Sequence, residues 1–281
     1  MVYGNYISIR DLWAGFNPDG VAKGIFVLFR GYMDESASEQ GEVFCLSCLI
    51  GDGAQWIRLC RDWKAILDEK NGELAAQGRR QITRYHASPC SNRQGEFKGW
   101  STPEQREFFG KLFDVLQGAH LHVVSYTLDW KYALEKFPFM VADPEAWAYY
   151  LALHFVMGDV GKEVEKMHPS RRITMFHDRT KFNGKISDAF YARVGNPKFT
   201  YASRFVSIAS LSWEDCIALQ PADLFAYETM KETERKYFQP RDKPRKSLNM
   251  LRSMSSLGGV HKHIGRDEID NFESQMMGLS G

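Results

Sequence analysis

The chain has 281 residues, 44% of them hydrophobic and 14% aromatic, with a formal net charge of +1. That is enough apolar material for one large α/β domain with insertions, and too little net charge for a global pull on nucleic acid or an anionic membrane. No apolar run is long enough to span a membrane, no basic stretch followed by an apolar core opens the chain, and five cysteines do not read as a disulfide framework, so a reducing cytoplasm is expected.

Residues 1–23, with "AGFNPDGVAKG", read as an irregular lead-in. "IFVLFRGYMD" is rich in β-branched and aromatic residues and predicts a buried strand. After the turn "SASEQGE", "VFCLSCLI" predicts a second strand, antiparallel to the first. Cys45 and Cys48 are three apart in that strand and point to opposite faces, and no second pair stands at zinc spacing, so they read as buried thiols. Trp56, Leu59, Cys60, Trp63 and Leu67 recur at helical spacing and predict an amphipathic helix. Residues 71–100 read as a long, polar, irregular segment. Thr102-Pro103-Glu104 predicts a helix start with Thr102 as the cap, running to about Gln117. "LHVVSYTL" predicts a third strand, and Asp143-Pro144-Glu145 opens a helix to about Met167. "RRITMFHD" is a fourth strand, followed by a short helix near 184–194, and "FVSIASLSW" is a fifth. A helix is expected over 219–237, then the Pro-broken "QPRDKPRK" and a last helix near 244–257. Early strands are adjacent and later ones alternate with helices, as in a mixed sheet with helices on its faces.

Several polar residues fall where chemistry is built. Asp34 and Glu35 end the first strand; alternation sends them to opposite sides, with Asp34 toward a site and Glu35 supporting it. A solvated strand end is the alternative for both. In "CIALQPADLFAY", Gln220, Asp223 and Tyr227 share one face of a largely apolar helix, where a carboxylate is expensive unless paired or metal-bound. Asp178 ends the fourth strand beside His177, and an oxygen ligand suits a hard divalent cation. His86, in "TRYHASPC", suits proton transfer or a phosphate contact. Glu145 opens a helix, where the dipole alone explains an acid, and is a weaker candidate ligand; Glu228 is one further acid on the Asp223 helix. Two basic stretches lie near aromatic residues: Arg79, Arg80 and Arg84 in one, and Lys243, Arg245 and Lys246 in the other. Charge for phosphates and rings for bases suit a nucleic-acid groove, although solvated helix faces look the same.

"MDES" and "LQPADLFAY" together resemble the domain-of-unknown-function 3800 family, a bacterial family with an early Asp-Glu motif and a late Gln-x-x-Asp motif. The resemblance covers roughly residues 29–237, with "RYHAS" and "FHDR" resembling its weaker middle motifs; Ala37 stands where the family often has Gly. It implies a ribonuclease H-like fold: a mixed five-stranded sheet flanked by helices over 24–238, with a helical insertion at about 53–118 and a basic helical C-terminal extension at 239–281. It also implies a two-metal carboxylate site for Mg²⁺ or Mn²⁺ made by Asp34, Asp178 and Asp223. Glu35 and Gln220 would orient that site, Glu145 would be a doubtful fourth acid, and His86 would move a proton or hold a phosphate. The expected activity is hydrolysis of nucleic-acid phosphodiester bonds, in DNA or RNA, with no membrane partner. A phosphatase or nucleotide hydrolase acting on small molecules is the second expectation, marked down because Asp34-Glu35-Ser36 is not Asp-x-Asp. A non-catalytic nucleic-acid-binding module is the third.

Overall fold

The structure, a computed structural model, describes residues 28–240, 243–254 and 256–277; the predicted lead-in and the start of the predicted first strand lie outside them. The first run of β-forming residues gives β1 (Phe29–Ala37), which continues through both acids of "MDES". Next come β2 (Val43–Gly51), buried along its whole length, and α1 (Gly53–Ala76). Asp52 caps α1, its side chain accepting from the N–H groups of Ala54 and Gln55 while the Gln55 side chain accepts from the Asp52 N–H. The segment read as irregular is more ordered than expected: α1 runs on to Ala76, and a short α2 (Ala87–Asn92) and a 3₁₀ turn (Gly95–Phe97) follow. α3 (Thr102–Ala119) is capped by Ser101 rather than Thr102, because Ser101 and Glu104 satisfy each other's backbone N–H groups.

β3 (His122–Asp129) leads into α4 (Trp130–Lys136), and α5 (Pro144–Met167) begins at the predicted Asp143 cap. Then come β4 (Ile173–Asp178), α6 (Asn183–Gly195), β5 (Phe205–Leu211) and α7 (Leu219–Thr233). α7 runs into a π-helical turn at Glu234–Phe238. The chain continues through α8 (Lys246–Ser253), β6 (Gly258–Ile264) and α9 (Arg266–Met277).

The sheet is mixed and six-stranded, in the order β5-β4-β1-β2-β3-β6. β2 is antiparallel to β1 and β3, while β4 is parallel to both β1 and β5. Five strands were expected; the sixth is β6, which pairs in parallel with β3 from His122↔Gly258 to Leu128↔Ile264. The C-terminal region is therefore not a helical appendage, since one of its segments is part of the sheet.

Each face of the sheet carries its own core. Met33, Cys48, Val124 and Met175 pack on one side with α5 and α6. Tyr32, Cys45, Leu49 and Leu121 pack on the other with α1, α3 and α7. The two cysteines of "CLSC" are free, fully buried and divided between the faces, as alternation requires. Burial pushes the Cys45 thiol up to about 12 and the Cys48 thiol higher still, so neither is a thiolate at neutral pH. The helices between β2 and β3 contribute Trp56, Leu59, Trp63 and Phe108 to the second core. At about 2–3 kcal/mol for each large apolar side chain removed from water, these helices hold the sheet rather than decorate it.

Candidate functional site

The site forms where β1 and β4 end side by side. Met33 pairs with His177 across the parallel ladder, so Asp34 and Asp178 are the next residues on neighbouring strands. Tyr32 and Phe176 stack with ring centroids 5.1 Å apart on the α7 side of the sheet. Two residues further along each strand, Asp34 and Asp178 return to that side. Asp223 comes from α7, which lies across it. The three carboxylates chosen from sequence are thus gathered by two adjacent strands and the helix covering them.

One oxygen of each acid is tethered to the backbone. Asp34 Oδ1 accepts from the Glu35 N–H at 2.9 Å. Asp178 Oδ1 accepts from the N–H groups of Arg179 at 2.8 Å and Trp213 at 3.2 Å. Asp223 Oδ2 accepts from the Ala87 N–H at 2.7 Å. The tethers set where the side chains stand but do not neutralise them. Burial, followed by the charges of Glu35, Asp223 and Asp178, holds the Asp34 carboxyl well above the usual range. Burial, and the Asp178 charge, push Glu35 up to about 7. Asp223 also rises to about 7, chiefly through burial, against the pull of the Ala87 N–H and the Arg84 charge. Among the described residues, no three His, Cys, Asp or Glu side chains stand close enough to form a ready metal cage. The acids repel one another without sharing a common centre.

Glu35 turns to the α5 side, as alternation predicts, yet its carboxyl stays within electrostatic reach of Asp34, Asp178 and Asp223. Its Oε2 is buried and makes no hydrogen bond. Glu35 and Glu145 both line a cavity of about 960 Å³ on that side. Glu145 itself is exposed and pairs with Lys181 at 2.7 Å, so it stands apart from the three acids on the other face.

Gln220 does something the sequence did not foretell. Its Oε1 accepts from the Trp63 indole N–H at 3.0 Å and from the Tyr85 backbone N–H at 2.9 Å. Together with the Asp223–Ala87 bond, this staples residues 85–87 to the first turn of α7. The late Gln-x-x-Asp string therefore holds the "RYHA" string in place, two segments more than 130 residues apart. Gln220→Ala removes the acceptor for two buried donors, and a loss of about 2–4 kcal/mol is expected in denaturant unfolding, with Trp63 fluorescence reporting the loosened contact.

The stapled segment brings Arg84 to Asp223, with His86 beside Arg84. The Arg84 guanidinium lies over the Trp213 ring, 3.9 Å from its centroid, and its Nη2 is 3.4 Å from His86 Nδ1. Burial, with the Arg84 charge second, lowers His86 to about 4. At neutral pH His86 is uncharged; with Nδ1 facing the Arg84 donor its proton sits on Nε2, so the ring offers an N–H, and the cationic charge at the site belongs to Arg84. Trp213 was not singled out in the sequence, although its place just beyond β5 is where a sheet of this kind presents residues to a site.

No family model, curated protein or solved structure matches the chain. The family resemblance therefore rests on the residue strings, and the chemistry must be read from the site.

The basic residues divide. Arg79 pairs with Glu104 at 2.8 Å, and Arg245 with Glu228 at 3.0 Å, so both are engaged within the fold. Arg80 is exposed, 3.9 Å from Glu96, and Lys243 and Lys246 lie on the surface. Of the six arginines and lysines proposed for nucleic acid, Arg84 is the one that stands beside the acids. No helix among the described residues is long and apolar enough to cross a membrane.

Proposed function

We propose that the chain is a metal-dependent hydrolase of nucleic-acid phosphodiester bonds, built on a ribonuclease H-like core and related to the domain-of-unknown-function 3800 family. The observation that carries this reading is the gathering of Asp34, Asp178 and Asp223 on one face of the sheet, with Asp34 and Asp223 held well above the normal carboxylate range. A cluster of oxygen donors that suffers from its own negative charge is relieved either by protons or by a hard divalent cation. The donors fit Mg²⁺ or Mn²⁺ in kind. Because each acid is tethered to a backbone N–H and no cage is preformed, their side chains must rotate toward one another to take an ion.

Asp34, Asp178 and Asp223 would hold the metal, which supplies Lewis acidity to the attacking water and to the leaving oxygen. Arg84, already over Trp213 and beside Asp223, offers a guanidinium to the phosphate. His86, neutral at the working pH and with Nδ1 facing Arg84, would offer its Nε2–H to the phosphate, the second of the two roles expected of it. Gln220 keeps both of them in place through the backbone of Tyr85. Glu35 supports Asp34 from the next position on the strand. Five free cysteines suit a reducing cytoplasm.

The test is cleavage of single- and double-stranded DNA and RNA with Mg²⁺ or Mn²⁺. Asp34→Asn is expected to lower the rate by about a thousandfold or more, since it removes a ligand used by the whole site. Equal inertness of the wild type and Asp34→Asn on every substrate would remove the hydrolase from consideration.

A further inference from the structure

The cavity on the α5 side is not used by the chemistry above, apart from its contact with Glu35. It measures about 960 Å³, at the upper end of small-ligand sites. Three flat rings line it: Phe44 from β2, Trp130 from the start of α4, and Phe182 just before α6. An aromatic ring in such a wall offers a face on which a planar heterocycle stacks. The floor is different in kind. Glu35 Oε2 is buried without a hydrogen-bond partner, an acceptor that needs an N–H or O–H donor. His177 Nε2 and Tyr149 Oη, on the same side of the sheet, are also buried and unpartnered. The lining also carries Lys131, Glu135 and the Lys181–Glu145 ion pair, all of them exposed. Flat apolar walls and a buried acceptor together describe a base: rings to stack on, and a carboxylate for the base N–H to reach.

We infer that this cavity receives the base of an unpaired nucleotide, with Glu35 accepting from the base's N–H edge. The inference rests on the nucleic-acid hydrolase reading and narrows its substrate class to unpaired strands. Glu35 follows Asp34 directly on β1, so a base seated against Glu35 brings its own phosphodiester group next to the three acids on the opposite face. Glu35 is then a positioning and specificity residue, and the acids across the strand do the cleaving. A paired base cannot enter, because its N–H edge is occupied by its complement and its faces are stacked in the helix.

Binding is measured in EDTA, separately from cleavage, by titrating the protein with 5′-GMP and following tryptophan fluorescence and thermal unfolding. Saturable quenching and a raised midpoint are expected, with ribose 5-phosphate at equal concentration giving neither. The quenching is lost in Trp130→Phe, which removes the ring in the wall. Leu134→Trp fills the cavity from a half-exposed position and is expected to weaken GMP binding by about tenfold or more, with unchanged circular dichroism showing that the fold survives. Glu35→Gln is expected to weaken it similarly while ring quenching persists at high GMP concentration. A single-stranded oligonucleotide competes with GMP; a blunt duplex of the same sequence does not. The inference is overturned if GMP, AMP, CMP and UMP all fail to quench, or if Leu134→Trp binds GMP as the wild type does. Nucleotide binding without any metal-dependent cleavage would instead sink the hydrolase reading and leave the cavity's role standing. Cleavage without nucleotide binding would do the reverse.

Discussion

Asp223→Asn should make the metal-free protein more stable at pH 8, by about 1–3 kcal/mol, while abolishing metal-dependent cleavage. The Asp223 carboxyl lies at about 7 in the folded chain, against 3.8 for an ordinary Asp. Below about pH 4 both the folded and unfolded chains hold the proton, and the group makes no difference to stability. As pH rises from there toward 7, the unfolded chain gives up its proton more easily, so the folded state loses ground. Above 7 the penalty is complete. Asparagine never acquires the charge, yet its amide oxygen still accepts the Ala87 N–H that Asp223 holds. The two proteins should therefore coincide near pH 4 and separate with rising pH, as read by urea unfolding in EDTA. Mn²⁺ should restore the wild type at pH 8 and do little at pH 5, because protons and metal compete for the same oxygens. Parallel stability curves for the two proteins across pH 4–8 would show that Asp223 is not charge-stressed in the fold.

Arg245→Ala should cost about 3 kcal/mol, with no change in the salt dependence of nucleic-acid binding. Glu228 is buried on α7, and Arg245 reaches it with two nitrogens, Nε at 3.0 Å and Nη2 at 3.1 Å. Arg245 Nη2 also donates to Ser91 Oγ at 2.7 Å, joining the start of α8 to α2. Removing the arginine leaves a buried carboxylate without its partner, which is far worse than removing both charges. The double variant Arg245→Met with Glu228→Gln is expected to recover most of the loss. If Arg245 instead gripped phosphate, the single variant would unfold normally and bind nucleic acid with a shallower salt slope.

Most of the sheet was legible because its strands carry their own signal. "VFCLSCLI" and "ITMFHD" are bounded runs of β-forming residues, and Asp143-Pro144-Glu145 starts a helix by local chemistry alone. β6 was not legible: "GGVHKHI" has two glycines, two histidines and a lysine, and its extended form comes from pairing with β3 rather than from propensity. α2, "ASPCSN", is too short to show a helical period. At the site, the acids could be chosen because a carboxylate on an apolar strand or helix is unusual wherever it occurs. The work of Gln220 could not be read, since its partners Trp63 and Tyr85 lie 157 and 135 residues away. The pairing of the basic stretches was hidden for the same reason. Arg79 and Arg245 look like free charge in a linear string, and only the fold shows the acids that absorb them.

β6 also sets what the β3 side of the sheet presents to the outside. β3 is mostly buried along "VSYTLD", and without β6 its outer backbone would be an open template for another chain. β6 covers that template and presents a poorer one: Gly258 and Gly259, then exposed His261 and Lys262. Glycine weakens pairing, and Lys262, held by Asp159 at 2.7 Å, keeps a charged pair beside that edge. The C-terminal stretch thus shields the β3 side of the sheet from pairing with another chain, and a chain clipped ahead of Gly258 would carry an aggregation-prone edge there.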